Sequence, residues 1–385
     1  MRLVTPADVD RLAFGAMLLS SGAAGTEENV VAVTLMLREA LATHGPVRVL
    51  EPDEADPDAL GVRVAIVGSP VLLREKPPSG AEIQEALRIL EADCGERASA
   101  VIGWEMEGNN GLVPLILAAQ TGLPVVDVDG MGRAFPRIDQ STYAVAGLPI
   151  TPLAITEPGG DRAVLESSSI EQLARLVTVD FGGWAVMACR PLRIADAVAA
   201  GVPGAWARAL ELGERWLPER ERSDPAPERE RAATAAARRV GTGPASPEGM
   251  AERARASGGF LLARGKVTEV QWETSEGFPH GTAVVQDLDD DESFVRLEMQ
   301  GEYLVALANG EPVVTCPDII CCLDAETGRV VGTARVRCGC VIDVVALPAP
   351  AQWMCPAALR RVNPRAFGYD LDYVPLGALV GGPTP

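Results

Sequence analysis

Acidic side chains follow two short apolar runs that lie close together in the chain. Glu105 and Glu107 come just after a run that ends at Gly103, and Asp127 and Asp129 flank Val128 after a second run. Carboxyl groups of this kind can transfer protons or bind a hard divalent cation. We therefore predict Glu105, Asp127 and Asp129 as catalytic residues, and we leave the presence of a metal unknown.

An amide, a glycine turn and an arginine accompany these acids. Asn110 follows the first acidic pair, and Gly130 and Arg133 belong to a Gly-Met-Gly-Arg sequence after the second. Such groups can hold a carbonyl oxygen and stabilise negative charge that develops on it. We predict Asn110, Gly130 and Arg133 as substrate-binding residues. The alternative is that acids and glycines gather here because turns require them.

The elements that must position these residues form a βαβ unit. Residues 98–103 and Val125-Val126 are apolar segments typical of strands buried on both faces. Between them, apolar residues recur at helical spacing over 111–121, and Gly122 ends the pattern. A crossover of this length predicts parallel strands with a right-handed connection. Both acidic pairs then leave the same edge of the sheet, where ligands bind in open α/β folds.

Flanking segments extend the unit to an α/β domain over residues 1–165. Helices are predicted from a Thr5 cap to Leu19 and at 27–43 and 81–92, and strands at 47–50 and 62–67. The small-residue loop 20–25 precedes the second helix and could present backbone N–H groups to an anion, so Gly22 and Gly25 are further substrate-binding candidates. A tight turn between helices is the alternative.

The remaining residues, 166–385, are predicted as a second, β-rich α+β domain. Its first part is expected to be helical over 170–257, with an Arg-, Glu-, Ala- and Pro-rich excursion at 219–254 that is solvated or mobile. Short β segments over 260–350, separated by Gly, Asn and Asp turns, predict a small sandwich or barrel. The tail at 364–375 is rich in aromatic residues and is expected to pack back onto a domain.

Composition excludes several classes of function. The 385 residues carry a net charge of -19, which would repel nucleic-acid phosphates. No apolar run approaches a membrane span and no signal peptide is evident. The eight cysteines form no CxxC pair and only two histidines are present, so we expect reduced thiols in a bacterial cytoplasm and little scope for a Cys/His dyad. We expect a small-molecule substrate and no nucleotide cofactor. The sequence is compatible with a homo-oligomer.

Several motifs resemble the DUF917 family, whose characterised branch is the S-methyl thiohydantoin desulfurases. They include the Thr5-to-Ala16 opening, Gly122-Leu123-Pro124, and the VDVDGMGRAFP segment at 126–136. In the second half they include Pro317-Asp318 and the FGYDLDY segment at 367–373. The resemblance implies an N-terminal α/β domain and a C-terminal β-rich domain. It also implies hydrolysis of a hydantoin-like ring, in which water displaces methanethiol.

The chain departs from the family pattern in three places. The loop at 20–26 lacks the usual run of glycines, residues 107–111 replace a Gly-Gly-Asn-Ser motif, and Gly301-Glu302 replaces an Asn-Glu pair. Two hypotheses follow. The first is a hydrolase of a hydantoin or thiohydantoin-type ring, in which Asp127 or Asp129 activates water and Glu105 acts as acid or orients the substrate. The alternative is a non-catalytic ligand-binding or partner subunit of a hydantoinase-type system.

Overall fold

The computed structural model describes residues 1–23, 27–69, 72–218, 246–275 and 278–376. It contains a mixed sheet with helices, followed by an antiparallel half-barrel sheet. The predicted fold class is therefore confirmed. Gly25 and most of the predicted excursion at 219–254 lie outside the described residues. The end of that excursion lies in the helix Pro247–Ala256, which buries Met250 and Ala254.

The first sheet has the strand order β1-β2-β5-β4-β3-β9-β7-β8. Its strands are β1 (Arg2–Val4), β2 (Val47–Leu50), β3 (Leu60–Gly68), β4 (Ala100–Ile102), β5 (Val125–Val126), β7 (Leu153–Thr156), β8 (Arg162–Leu165) and β9 (Trp184–Arg193). The central pairs β2–β5, β5–β4 and β4–β3 are parallel, as the βαβ unit predicts. A separate two-stranded pair joins β6 (Val128–Asp129) to β10 (Val202–Pro203).

The described residues form eleven helices. They are α1 (Val9–Leu19), α2 (Glu27–His44), α3 (Leu72–Glu75), α4 (Ala81–Cys94), α5 (Val113–Thr121), α6 (Thr142–Val145), α7 (Ile170–Asp180), α8 (Ile194–Ala200), α9 (Ala205–Trp216), α10 (Pro247–Ala256) and α11 (Pro356–Val362). Helix α5 buries every residue from Val113 to Ala119, so it lies in the core and not at the surface. Short 3₁₀ turns occupy Pro6–Asp8, Pro52–Glu54, Thr333–Arg335, Ala351–Met354 and Pro364–Phe367.

The half-barrel is a seven-stranded antiparallel sheet in the order β15-β14-β13-β12-β11-β17-β16. Its strands are β11 (Phe260–Ser275), β12 (Phe278–Asp287), β13 (Phe294–Gln300), β14 (Glu302–Ala308), β15 (Glu311–Thr315), β16 (Ile319–Asp324) and β17 (Val341–Leu347). The segment Arg329–Val331, predicted as a strand, contributes only an isolated bridge between Val330 and Leu323. The alternation of apolar residues in the longer strands explains why most of this sheet is visible in the sequence.

The C-terminal tail packs onto the half-barrel. Tyr373 donates a hydrogen bond from its hydroxyl to the Asp318 carboxylate at 3.0 Å, and the Leu376 N–H donates to the same oxygen at 3.0 Å. Phe367 is buried beside Trp353 in an apolar cluster that reaches the α/β sheet. The aromatic residues of the tail therefore serve packing, as expected.

The loop between α1 and α2 joins the two sheets. Ser20 accepts a hydrogen bond on its hydroxyl oxygen from the Gly108 N–H at 3.0 Å, next to the first acidic cluster. Its neighbour Ser21 donates from its hydroxyl to the Tyr303 carbonyl at 2.9 Å, on β14 of the half-barrel. The family's glycine-rich position is thus a structural junction in this chain.

Candidate functional site

The site that we describe lies where the edge of the α/β sheet meets the β13–β14 hairpin of the half-barrel. We define the interdomain cluster as Glu105, Glu107, Asn110, Arg133 and Glu302. Electrostatic interactions connect the acids: Glu107 and Glu302 both act on Glu105, and Arg133 acts on Glu302. The cluster therefore brings together side chains that are separated by up to about half of the chain.

Asn110 holds Glu105 in place and ties it to β3. Its amide nitrogen donates to the Glu105 carboxylate at 2.7 Å and to the Ile66 carbonyl at 3.0 Å. Its amide oxygen accepts from the Ile66 N–H at 2.7 Å. Both the oxygen and the nitrogen of the Asn110 amide therefore bond to Ile66, near the end of β3. This fixes the Asn110 side chain, which in turn orients the carboxyl group of Glu105.

Glu107 organises the turn that carries Asn110. Its carboxylate accepts hydrogen bonds from the N–H groups of Asn109 at 2.9 Å and Asn110 at 3.1 Å. This pattern is the side-chain turn that acids favour before a helix, and α5 begins shortly afterwards at Val113. Of the two acids, Glu105 therefore interacts with other side chains of the cluster, whereas Glu107 stabilises the backbone of the turn.

Glu105 is partly exposed to solvent, although protein atoms surround its carboxyl group closely. Loss of hydration raises the pKa of Glu105 well above its ordinary value, and the negative charge of Glu107 raises it further. The hydrogen bond from Asn110 opposes this shift without reversing it. Glu105 therefore keeps its proton to a higher pH than an ordinary glutamate, which suits a group that donates a proton.

Arg133 is fully buried, at 0 % exposure. Its guanidinium donates through Nη1 to the carbonyls of Pro317 and Asp318, the latter at 2.9 Å, and stacks over the Phe135 ring at 4.4 Å. Among the described residues, its Nη2 atom has no hydrogen-bond partner. Burial lowers the pKa of Arg133, but an arginine remains charged, so a buried positive charge faces the cluster.

Sequence reasoning missed Glu302 as a site residue. It begins β14, directly after the tight turn at Gly301, whose φ is +78°. Burial raises the pKa of Glu302 to about 8, although the positive charge of Arg133 lowers it. The signal in the sequence was the departure at Gly301-Glu302 from the family's Asn-Glu pair, which marks the position but not its contact with Arg133.

Asp127 and Asp129 do not hydrogen-bond to the interdomain cluster in the described part of the chain. The carboxylate of Asp127 accepts from the N–H groups of Trp206 at 2.9 Å and Ala207 at 3.1 Å, in the first turn of α9. Burial raises its pKa, and these two hydrogen bonds oppose the shift. An adjoining cavity of about 10 Å³ is no larger than one water molecule needs, so it cannot admit a ring.

Asp129 shapes the glycine turn. One carboxyl oxygen accepts from the N–H groups of Met131 at 3.1 Å and Gly132 at 2.7 Å, and the other, at 0 % exposure, has no partner among the residues described. Burial raises the pKa of Asp129 to about 8, so its carboxyl group is protonated at neutral pH. The charged groups that act on it are Asp127 and Arg208, which lie outside the cluster.

The predicted glycines are held by close packing. A Cβ atom on Gly22 would lie 2.2 Å from the Tyr303 ring, and one on Gly130 would lie 2.7 Å from the Tyr143 ring. Neither space is open to a ligand. Both glycines therefore allow close packing against an aromatic ring.

Two other possibilities are limited by the structure. No group of three or more His, Cys, Asp or Glu side chains within the described ranges is arranged to hold a metal ion. An open surface cavity of about 850 Å³ lies beside α4, where Glu85 is already paired with Arg88 and Arg162. It contains none of the predicted site residues.

Of the residues described, no helix is long and apolar enough to cross a bilayer.

Comparisons with known proteins agree on one family. The S-Me-THD-like N-terminal domain model matches residues 7–167, and the S-Me-THD-like C-terminal domain model matches residues 166–376. No curated protein matches the chain. A crystal structure of a protein from Chromobacterium violaceum is similar, with 25 % identity and a TM-score of 0.73 over 98 % of this chain and 100 % of that one. Since the two family models together span nearly its whole length, the chain belongs to the S-Me-THD-like family.

Proposed function

We propose that the protein is a hydrolase of a small hydantoin- or thiohydantoin-type ring, similar to an S-methyl thiohydantoin desulfurase. The observation that carries this proposal is Glu105, a partly exposed carboxyl group with a raised pKa that Asn110 holds in one cluster with Glu302, which in turn interacts with the buried charge of Arg133. A carboxyl group that keeps its proton to higher pH, in one cluster with a fixed cation, suits the cleavage of a polar ring bond. Membership of the S-Me-THD-like family supports the choice of ring.

The chemistry can be written with each residue in one role. Water attacks the ring carbon that carries the methylthio group, the C–S bond breaks, and the ring gains a carbonyl. One proton of water ends on the ring nitrogen and the other on the sulfur of methanethiol. Glu105 donates a proton to the nitrogen and regains one from the attacking water. Arg133 stabilises negative charge on the ring oxygen.

Asp127 and Asp129 receive positioning roles in this proposal. Asp127 caps α9, and Asp129 holds the turn that leads to Arg133. From the sequence, one of them was expected to activate water. Their hydrogen bonds support a different function, because each carboxylate already accepts two backbone N–H groups.

The test is turnover of S-methyl thiohydantoin by the full chain. We expect release of methanethiol, measured with a thiol reagent, together with hydantoin, identified by mass spectrometry. Glu105→Gln removes the transferable proton, so we expect kcat to fall by about a hundredfold or more. The matched control is Glu298→Gln, which changes a carboxylate on β13 that bonds Thr282 and Arg296.

Two results would contradict the proposal. One is full activity in a folded Glu105→Gln variant. The other is tight binding of these rings by the wild-type protein without any product, which would favour a ligand-binding or partner subunit instead.

A further inference from the structure

Two buried polar atoms of the interdomain cluster have no hydrogen-bond partner within the described residues. They are Nη2 of Arg133, a donor, and Oε2 of Glu302, which belongs to a residue that is only 4 % exposed. A buried polar atom without a partner costs free energy, and folded proteins contain few of them. Two such atoms in one cluster therefore need an explanation.

The two side chains influence each other but do not satisfy each other. The charge of Arg133 lowers the pKa of Glu302, and Glu302 raises that of Arg133, so the groups lie within electrostatic reach. The rest of the Arg133 guanidinium is committed to the carbonyls of Ala134, Pro317 and Asp318. Its direction is therefore fixed, and Nη2 is the nitrogen left for another molecule.

Each side chain comes from a rigid element. Arg133 follows the Asp129 turn at the edge of the α/β sheet, whereas Glu302 opens β14 after a one-residue turn at Gly301. Ser21 fixes the hairpin by bonding the backbone of Tyr303. A ligand between these residues would thus meet a donor and a carboxyl group that are held in advance.

We infer that Glu302 and Arg133 together recognise the N–H and C=O edge of a planar five-membered ring. Glu302 receives the ring N–H, and Nη2 of Arg133 donates to the adjacent ring carbonyl. This assignment adds Glu302 as a substrate-specificity residue. The choice of ring rests on the proposed function.

Binding of hydantoin, measured by titration calorimetry, tests the inference on the full chain. Glu302→Gln keeps a hydrogen-bonding side chain of the same shape, and we expect its affinity to stay within about threefold of wild type. Glu302→Leu fills the same space without an acceptor, and we expect hydantoin to bind about tenfold more weakly. Glu298→Gln, in the adjacent strand, should not change the affinity.

A second ligand examines the ring N–H itself. In 1,3-dimethylhydantoin both ring nitrogens are blocked, and we expect it to bind wild type at least about tenfold more weakly than hydantoin. Equal binding of the two rings, equal affinity of Glu302→Leu and wild type, or no binding of hydantoin would each overturn the inference.

The two proposals fail in different ways. If hydantoin binds as described but S-methyl thiohydantoin is not turned over, the binding assignment stands and the hydrolase does not. If methanethiol is released while Glu302→Leu binds hydantoin normally, the hydrolase stands and the role of Glu302 is wrong.

Discussion

Glu105 is expected to set the pH dependence of catalysis. A proton donor must be protonated, and burial raises the pKa of Glu105, so kcat should fall as the pH rises through that pKa. Because the pKa of Glu302 is raised to about 8, the same profile must be measured in Glu302→Gln. The alkaline fall should persist there. If it vanishes in Glu302→Gln, Glu302 and not Glu105 controls the rate.

Asp129 makes a separate prediction about stability. Its pKa is raised from 3.8 to about 8 in the folded protein, so the folded state retains a proton that the unfolded state loses. The free energy of unfolding therefore falls between these pH values on account of this group. Asp129→Asn cannot ionise, and its melting temperature should improve relative to wild type as the pH rises from acid to neutral. A constant difference across that range would contradict the assignment.

Individual site residues differed in how far the sequence could predict them. Glu105, Asn110 and Arg133 lie near one another in the chain, on one side of a recognisable βαβ unit, and the structure brings them into one cluster. Glu302 lies on a different sheet, so no local pattern could place it beside Arg133. Asp127 looked like an active-site acid because the helix that it caps begins far along the chain, at Ala205.

At the scale of elements, Asp127 should stabilise α9. Asp127→Ala removes the acceptor for two N–H groups in the first turn of the helix, which costs about 1 to 2 kcal/mol of the free energy of unfolding. Urea denaturation measures this loss. Asp127→Asn retains one acceptor oxygen and should lose less. A folded Asp127→Ala protein of normal stability but without turnover would instead assign Asp127 to the chemistry.

The loop that joins the sheets should be intolerant of a side chain at Gly22. Its φ is +76°, and an added Cβ would lie 2.2 Å from the Tyr303 ring, so Gly22→Ala combines backbone strain with a clash. Gly45→Ala is the matched control, because Gly45 has a φ of +90° and nothing within 4 Å of its added Cβ. We expect Gly45→Ala to cost about 1 kcal/mol and Gly22→Ala clearly more, by urea denaturation. Equal losses of unfolding free energy in the two variants would mean that the Tyr303 ring moves away from the added methyl group at no cost.

Most elements could be predicted because their periodicity is local. The predicted strand at 62–67 corresponds to Leu60–Gly68, and the predicted helix at 81–92 to Ala81–Cys94. The place of β9 in the first sheet, between β3 and β7, could not be predicted. The apolar first half of β9 shows that the strand is buried, but it does not show which neighbours bury it.

At the scale of the molecule, the α/β unit requires chain beyond residue 165. Strand β9 lies between β3 and β7, and α9 packs so closely on α1 that an added Cβ on Gly15 would lie 1.8 Å from the Ala209 carbonyl. We therefore expect a fragment of residues 1–218 to be more soluble and more cooperatively folded than one of residues 1–165. Circular dichroism during thermal melting compares them. Cooperative folding of the shorter fragment would place the boundary where the sequence suggested.

The adjacent serines of the first loop have a consequence for how a ligand enters. Ser20 is hydrogen-bonded to the turn that follows Glu105, and Ser21 is hydrogen-bonded to the hairpin that carries Glu302. Two consecutive residues therefore anchor both sides of the interdomain cluster. Neighbouring Cα atoms are separated by about 3.8 Å whatever the rest of the molecule does. The turn at Gly108 and the β14 hairpin therefore cannot move far apart at this point. In the proposed reaction, a ring would approach from the partly exposed side of Glu105, and we expect flat, unsubstituted compounds to fit better than bulky ones.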